Sequence, residues 1–177
     1  MKIQAKSMKM KNKILFTFLL LAGFTSQIYA QATATATATA TIVTPISIAK
    51  NTDMSFGNIA VQIATGGTVV LAPAGTRTST SGVTLPATTG TVTAASFTVN
   101  GNGSYTYDIT LPTTVTLTHS GGVQTMAASS FTSNPSGTGA LSSGTQNIAV
   151  GATLTVAAAQ LAGVYTSGNF SVTVNYN

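Results

Sequence analysis

Beyond its first thirty residues the chain alternates, with apolar side chains on every second position over short runs separated by Gly, Pro, Asn and Ser. No stretch there sustains a period of 3.6, so the pattern predicts strands and no helices. The clearest run is residues 168–177, where Phe170, Val172, Val174 and Tyr176 alternate with Ser171, Thr173 and Asn175. A strand so patterned covers a core with one face and meets water with the other. This run reads as the strand around which the rest of the chain is organised.

Other runs predict further strands. Residues 54–61 and 68–72 are separated by Gly66-Gly67, and Phe56-Gly57 sets a bulky anchor beside a glycine, as a bulge or a sheet crossing requires. Residues 75–90 form a loop rich in Ser, Thr and Gly, with Val83 and Leu85 as its inward points and Arg77 solvated. The runs 95–99 and 104–111 flank Asn100-Gly101-Asn102-Gly103. Asn-Gly pairs accept the positive φ of tight turns, so the two runs are expected to form a hairpin, with Phe97, Val99, Tyr105, Tyr107, Ile109 and Leu111 in one core. Val115 and Leu117 begin another strand, which Gly121-Gly122 turns toward Val123 and Met126. Residues 145–150 and 153–156 are expected to be two strands joined at Gly151-Ala152.

The first thirty residues differ. Lys2, Lys6, Lys9, Lys11 and Lys13 precede an apolar run from Ile14 to Phe24, and Ile28-Tyr29-Ala30 follows. A basic segment, a short apolar segment and a small residue are the parts of a signal peptide, with cleavage expected after Ala30. The run is too short for the ~20 residues of a spanning helix. Residues 31–41 are then an arm of alternating Thr and Ala, read equally as a linker or as a strand offered to a neighbour, and 42–177 form a single domain. Pro45, which lacks a ladder donor, places an edge or kink where the arm enters that domain.

Charge changes meaning with this division. The formal net charge of +5 belongs to the leader, for beyond it Lys50 and Arg77 stand against Asp53 and Asp108. Two cations build no basic patch, so nucleic acid is not an expected partner. No cysteine is present, which removes disulfides, thiolate metal sites and cysteine nucleophiles.

Candidate chemistry is sparse. The chain has one histidine, two aspartates and no glutamate. His119 sits at a strand end before Ser120-Gly121-Gly122 and reads as a solvated residue rather than a base. A carboxylate pair would need Asp53 and Asp108 to converge from a loop and a strand. No Gly-x-Ser-x-Gly elbow supports a serine nucleophile. An enzyme is not expected, and neither a cofactor nor a metal site is.

The order of Ile42-Val43-Thr44-Pro45-Ile46-Ser47-Ile48, Met54-Ser55-Phe56-Gly57-Asn58-Ile59, Phe97-Thr98-Val99-Asn100-Gly101, Tyr107-Asp108-Ile109-Thr110-Leu111-Pro112 and the closing run resembles the DUF4402 family of exported bacterial domains. That family looks related to the spore coat protein U domain and, more distantly, to chaperone-usher pilins. The resemblance implies an immunoglobulin-like, antiparallel β-sandwich and a place in a surface assembly. In pilins the last strand alternates, carries a penultimate tyrosine and has a glycine fourteen positions from the end. Tyr176 is penultimate here, and Phe170, Val172 and Val174 match the alternation. Gly163 lies one position off, and the arm offers only methyl groups where donor strands carry large apolar residues.

The expected function is a non-catalytic exported structural subunit of a surface fibre or coat, assembled by β-strand addition, with Phe170, Val172, Val174 and Tyr176 closing the core and carrying assembly. The resemblance implies sibling subunits or further copies as partners, and a periplasmic chaperone. The expected location is the periplasm, cell surface or exterior. The alternative is a secreted or surface binding module that holds a glycan or protein in loops 75–90 or 129–145, where Phe131 is the one aromatic. Two lesser readings are a surface-contacting threonine array over Thr33 to Thr41 and an outer-membrane barrel. The predicted strands are mostly shorter than the ~9–11 residues a barrel needs.

Overall fold

The computed structural model describes residues 30–177. The signal peptide reading therefore falls, apart from Ala30, outside the described residues. Residues 30–41 are exposed and take up no strand. Ile42–Asn177 forms one compact unit. It is all-β and antiparallel, and the described residues contain no helix.

The strands in chain order are β1 (Ser47–Thr52), β2 (Ser55–Phe56), β3 (Ala60–Val61), β4 (Gly67–Leu71), β5 (Arg77–Ser79), β6 (Val83–Thr84), β7 (Val92–Thr93) and β8 (Ala95–Asn100). They continue as β9 (Thr106–Thr110), β10 (Thr114–His119), β11 (Thr125–Asn134), β12 (Thr138–Ala140), β13 (Thr145–Val156), β14 (Tyr165–Ser167) and β15 (Thr173–Tyr176). An open eight-stranded sheet runs β1-β8-β13-β11-β10-β14, with β4 and β5 added alongside β13. A three-stranded sheet, β12-β9-β15, and two ribbons, β2-β7 and β3-β6, complete the architecture.

The central element is β13 and not the terminal run. It keeps β11 on one side along most of its length, while its other side pairs with β8 over Thr145 to Val150 and with β4 over Ala152 to Val156. Gly151 is thus no break between two strands but the point at which β13 exchanges neighbours. A Cβ there would collide with the carbonyl oxygen of Leu71, so the close approach of the chain leaving β4 requires glycine.

The even-numbered side chains of β13 share one face and serve two cores. Ile148 and Val150 pack with Phe97, Val99, Tyr107, Leu141, Val172 and Val174. Ala152, Leu154 and Val156 pack with Phe56, Val69, Leu71, Val83 and Ala128. A bulge in β11 at Ser130, with φ +49°, shifts the inward alternation from Met126 and Ala128 to Phe131 and Ser133. Phe131 touches both cores and is not a loop aromatic.

The opposite face of the large sheet carries cross-strand rows of small side chains. One row is Thr116, Ala127, Thr155 and Thr68, and the last shares a hydroxyl hydrogen bond of 2.7 Å with Thr80.

The hairpin expected around Asn100–Gly103 does not form. β8 pairs with β1 and β13, whereas β9 pairs with β12 and β15. The segment between them carries the chain across the core from one sheet to the other. Gly101 N–H donates to Gly144 O (2.9 Å) and Gly144 N–H to Gly103 O (2.7 Å), while within the segment Tyr105 N–H donates to Asn102 O (3.2 Å). The shared core is nonetheless real for Phe97, Val99, Tyr107, Ile109 and Leu111, while Tyr105 lies at 45% exposure outside it. The 54–61 run also differs, for it breaks at Gly57 (φ +68°) into β2 and β3.

Candidate functional site

The site of most interest is the lateral edge of β15. Alternation turns Val172 and Val174 into the Tyr107 core, with Phe170 and Tyr176 half-buried against it. The strand itself is only Thr173–Tyr176, and it ends the three-stranded sheet, paired to β9 alone. Asn177 N–H donates to Thr106 O (3.3 Å), in the register that sets Asn175 opposite Asp108 and Thr173 opposite Thr110. Hydrogen-bonded pairs alternate along an antiparallel ladder, so residues 173, 175 and 177 bond β9, and the N–H and C=O of Val174 and Tyr176 face the open edge. The same residues close the core with their side chains and present their backbone sideways. Such an edge is a template for another strand.

Tyr176 binds the end of this strand to two distant segments. Its hydroxyl accepts from Asn102 N–H (2.6 Å) and donates to Thr44 O (2.9 Å), and its ring meets Tyr105 edge-on at 5.7 Å. Across residues 168–172 the chain passes from the large sheet to the small one, with Phe170 tilted against Phe131 at a centroid distance of 5.6 Å. Between that crossover and the one joining β9 to β10 lies a cleft of about 490 Å³, lined by Leu111, Pro112, Thr114, Val115, Phe170 and Ser171 among others.

The remaining candidates are held in structural roles. His119 Nδ1 accepts from Gly121 N–H (2.9 Å), its Nε2 lies 3.2 Å from Ala162 O and its ring packs on Tyr165 at 4.9 Å. Both ring nitrogens are therefore engaged, and the residue is half-buried rather than a solvated strand end. Asp53 forms an exposed ion pair with Lys50 (2.7 Å), and Asp108 on β9 accepts from Oγ1 of Thr138 (3.2 Å), its cross-strand partner on β12. Among the described residues no three metal-ligating groups converge.

Arg77, expected in solvent, and Tyr107, expected only as a core member, do more. Arg77 is not solvated but forks between three backbone carbonyls, those of Phe56, Asn58 (2.8 Å) and Thr89 (3.3 Å). It fastens the turn at Gly57 to the 85–91 segment, where Asn58 N–H also donates to Thr89 O (2.7 Å). Tyr107, fully buried in the small sheet, donates to Gln146 Oε1 (2.6 Å) on β13, and that oxygen also accepts from Ala140 N–H (2.9 Å). Burial raises the Tyr107 phenol above its ordinary value. A lone arginine within a threonine loop, and a tyrosine within an alternating strand, give no sign in sequence of these partners.

This geometry describes an open-edged, antiparallel β-sandwich with no assembled catalytic group among the described residues. A family model described as a domain of unknown function, DUF4402, matches residues 46–176, and the chain belongs to that family. No curated protein matches the chain.

Proposed function

We propose that the protein is a non-catalytic, exported structural subunit of a surface fibre or coat, joined to its neighbours by strand addition at the edge of β15. The observation that carries this reading is the outward backbone of Val174 and Tyr176 beside the core that their side chains close. An added strand gains main-chain hydrogen bonds there while its inward side chains extend the Tyr107 core. The donor is the 31–41 arm of another copy or a sibling subunit. This arm is exposed and outside any sheet, and its Thr/Ala alternation suits a strand held by its backbone. Before assembly a periplasmic chaperone covers the same edge. The cleft beside Phe170 favours a second reading, a binding module for a glycan or peptide, because its lining is hydroxyl-rich and uncharged and includes one aromatic ring.

Light scattering on chains beginning at Gln31 and at Ile42 tests the proposal. Ladders or fibres from the first, absent from the second, are expected. Two monomers at every concentration would overturn strand addition and leave the binding module.

A further inference from the structure

Two Asn-Gly pairs occur in the chain, Asn100-Gly101 and Asn102-Gly103, at the end of β8 and in the crossover that follows it. An asparagine before glycine is chemically exposed, because glycine has no side chain to shield its amide nitrogen from the neighbouring carboxamide. The fold treats the two pairs differently. Asn100 is the last residue of β8, set opposite Ser47 on β1 and Thr145 on β13. Gly101 N–H donates to Gly144 O (2.9 Å), and a Cβ on Gly101 would strike the Tyr176 hydroxyl and Leu141. Both reacting groups of the first pair are thus held in place.

The second pair is fastened around its reacting atoms but not at them. Asn102 N–H donates to the Tyr176 hydroxyl (2.6 Å), Asn102 O accepts from Tyr105 N–H (3.2 Å) and Gly103 O accepts from Gly144 N–H (2.7 Å). These bonds shape a turn in which Gly103 takes φ +50°. Among the described residues none accepts from Gly103 N–H, and a Cβ on Gly103 would meet nothing within 4 Å. The nitrogen that must move toward Asn102 Cγ has neither a bond to give up nor a neighbour to pass.

We infer that Asn102-Gly103 is a site of spontaneous covalent modification, deamidation through a cyclic imide, and that its isoaspartyl product loosens the anchor of Tyr176. Loss of the Gly103 amide proton to solvent base frees a nitrogen lone pair that bonds to Asn102 Cγ. The Cγ–Nδ2 bond breaks, and the amino group takes up a proton and leaves as ammonia. Water then opens the imide at either carbonyl. The balance is one water taken up and one ammonia released, with no oxidant and no cofactor. One product is aspartate. The other is isoaspartate, in which the main chain runs through the former side chain and is longer by a methylene. Either product adds a carboxylate to a chain whose two cations and two aspartates cancel beyond residue 30. Isoaspartate also takes Asn102 O out of the turn that Tyr105 N–H closes, and so frees the crossover whose Asn102 N–H holds the Tyr176 hydroxyl. The modification is independent of the structural-subunit reading, since it needs only the fold and water.

The unaltered protein supplies the test. Folded protein, and protein unfolded in guanidinium chloride, are held in mildly alkaline buffer and sampled over days. Each sample is digested with pepsin in acid, where imide formation is slow, and mass spectrometry reads conversion at each asparagine. In the unfolded chain the two Asn-Gly pairs are expected to convert at similar rates. In the folded protein Asn102 is expected to convert about tenfold faster than Asn100, because attack at Asn100 must first break the Gly101–Gly144 hydrogen bond and open the end of β8. Equal rates in the folded protein, or a faster Asn100, overturn the inference, as does an Asn102 rate no higher than that of Asn147, which precedes Ile148. The converted fraction, separated by anion exchange, is expected to melt below the unconverted one. Asn102→Asp supplies the charge without the extra methylene and is expected to melt between them. An isoaspartate-rich fraction with an unchanged melting curve would overturn the loosening of Tyr176.

Discussion

The core around Tyr107 and the core around Leu71 lie on the same face of β13, yet they are covered by different means. Over Tyr107 the cover is a hydrogen-bonded sheet of three strands, tied to the large sheet through Gln146, which accepts from Tyr107 and Ala140, and to the chain before β1 by Tyr176 to Thr44. Over Leu71 the cover is two ribbons of two residues per strand, too short to hold themselves, and the guanidinium of Arg77 joins their connecting segments. The first cover is stable through its ladder but ends in an open edge. The second has little ladder to extend, and its backbone groups are occupied by a side chain. The edge that the proposed strand addition would use therefore lies on the first cover and not on the second.

The largest expected effect comes from removing part of the first cover. A chain ending at Ser171 loses Val172, Val174 and Tyr176, each worth about 1.5–3 kcal/mol of burial, together comparable with the ~5–15 kcal/mol that holds a domain folded. Aggregation and loss of the near-ultraviolet circular dichroism signal are expected. A soluble protein with an unchanged melting curve would show that β15 does not close that core.

An intermediate effect is expected over Leu71. Arg77→Met removes the donor that bridges the carbonyls of Phe56, Asn58 and Thr89, the last of which keeps Asn58 N–H, at a cost of about 1–3 kcal/mol. Hydrogen exchange should accelerate at Asn58 N–H, whose acceptor is Thr89 O, while amides of β9 move only with global stability. Arg77→Lys should rescue little, because an ammonium cannot fork across carbonyls set by a planar group. Equal acceleration in both covers would mean that they are not separate.

The smallest effect sharpens the contrast through pH. The folded-state pKa of Tyr107 is raised above 10.0 by burial, so its contribution is fully present below pH 10 and is lost as pH rises from there through the folded value. Stability should decline over this alkaline range, and Tyr107→Phe should remove that part of the decline at a cost of about 1 kcal/mol near neutrality. A denaturant series at pH 8 to 11 reads both, and an identical alkaline slope in the two proteins would reject the assignment.

Much of the fold was legible, and for one reason. Alternation reports which side chains face inward, so Phe97, Val99, Tyr107, Val172 and Val174 were identifiable as core members from spacing alone. Partners were not legible. Asn100–Gly103 has the composition of a tight hairpin turn, but here the chain crosses between sheets, with Gly101 N–H and Asn102 N–H bonded to Gly144 and Tyr176. Gly151 has the look of a strand break for a similar reason. A glycine that admits a neighbouring backbone and one that interrupts a strand are the same letter.

The amino-acid sequence by itself determined the all-β class, the alternation that turns one face of each main strand inward and the near absence of charge beyond residue 30. Only the tertiary structure decided that β13 is the centre, that the terminal strand is an edge with its outward backbone at Val174 and Tyr176, and that Arg77 is a clamp. The physical reason is that a period of two is a property of one strand, whereas hydrogen-bond partners and edges belong to the arrangement of strands around it.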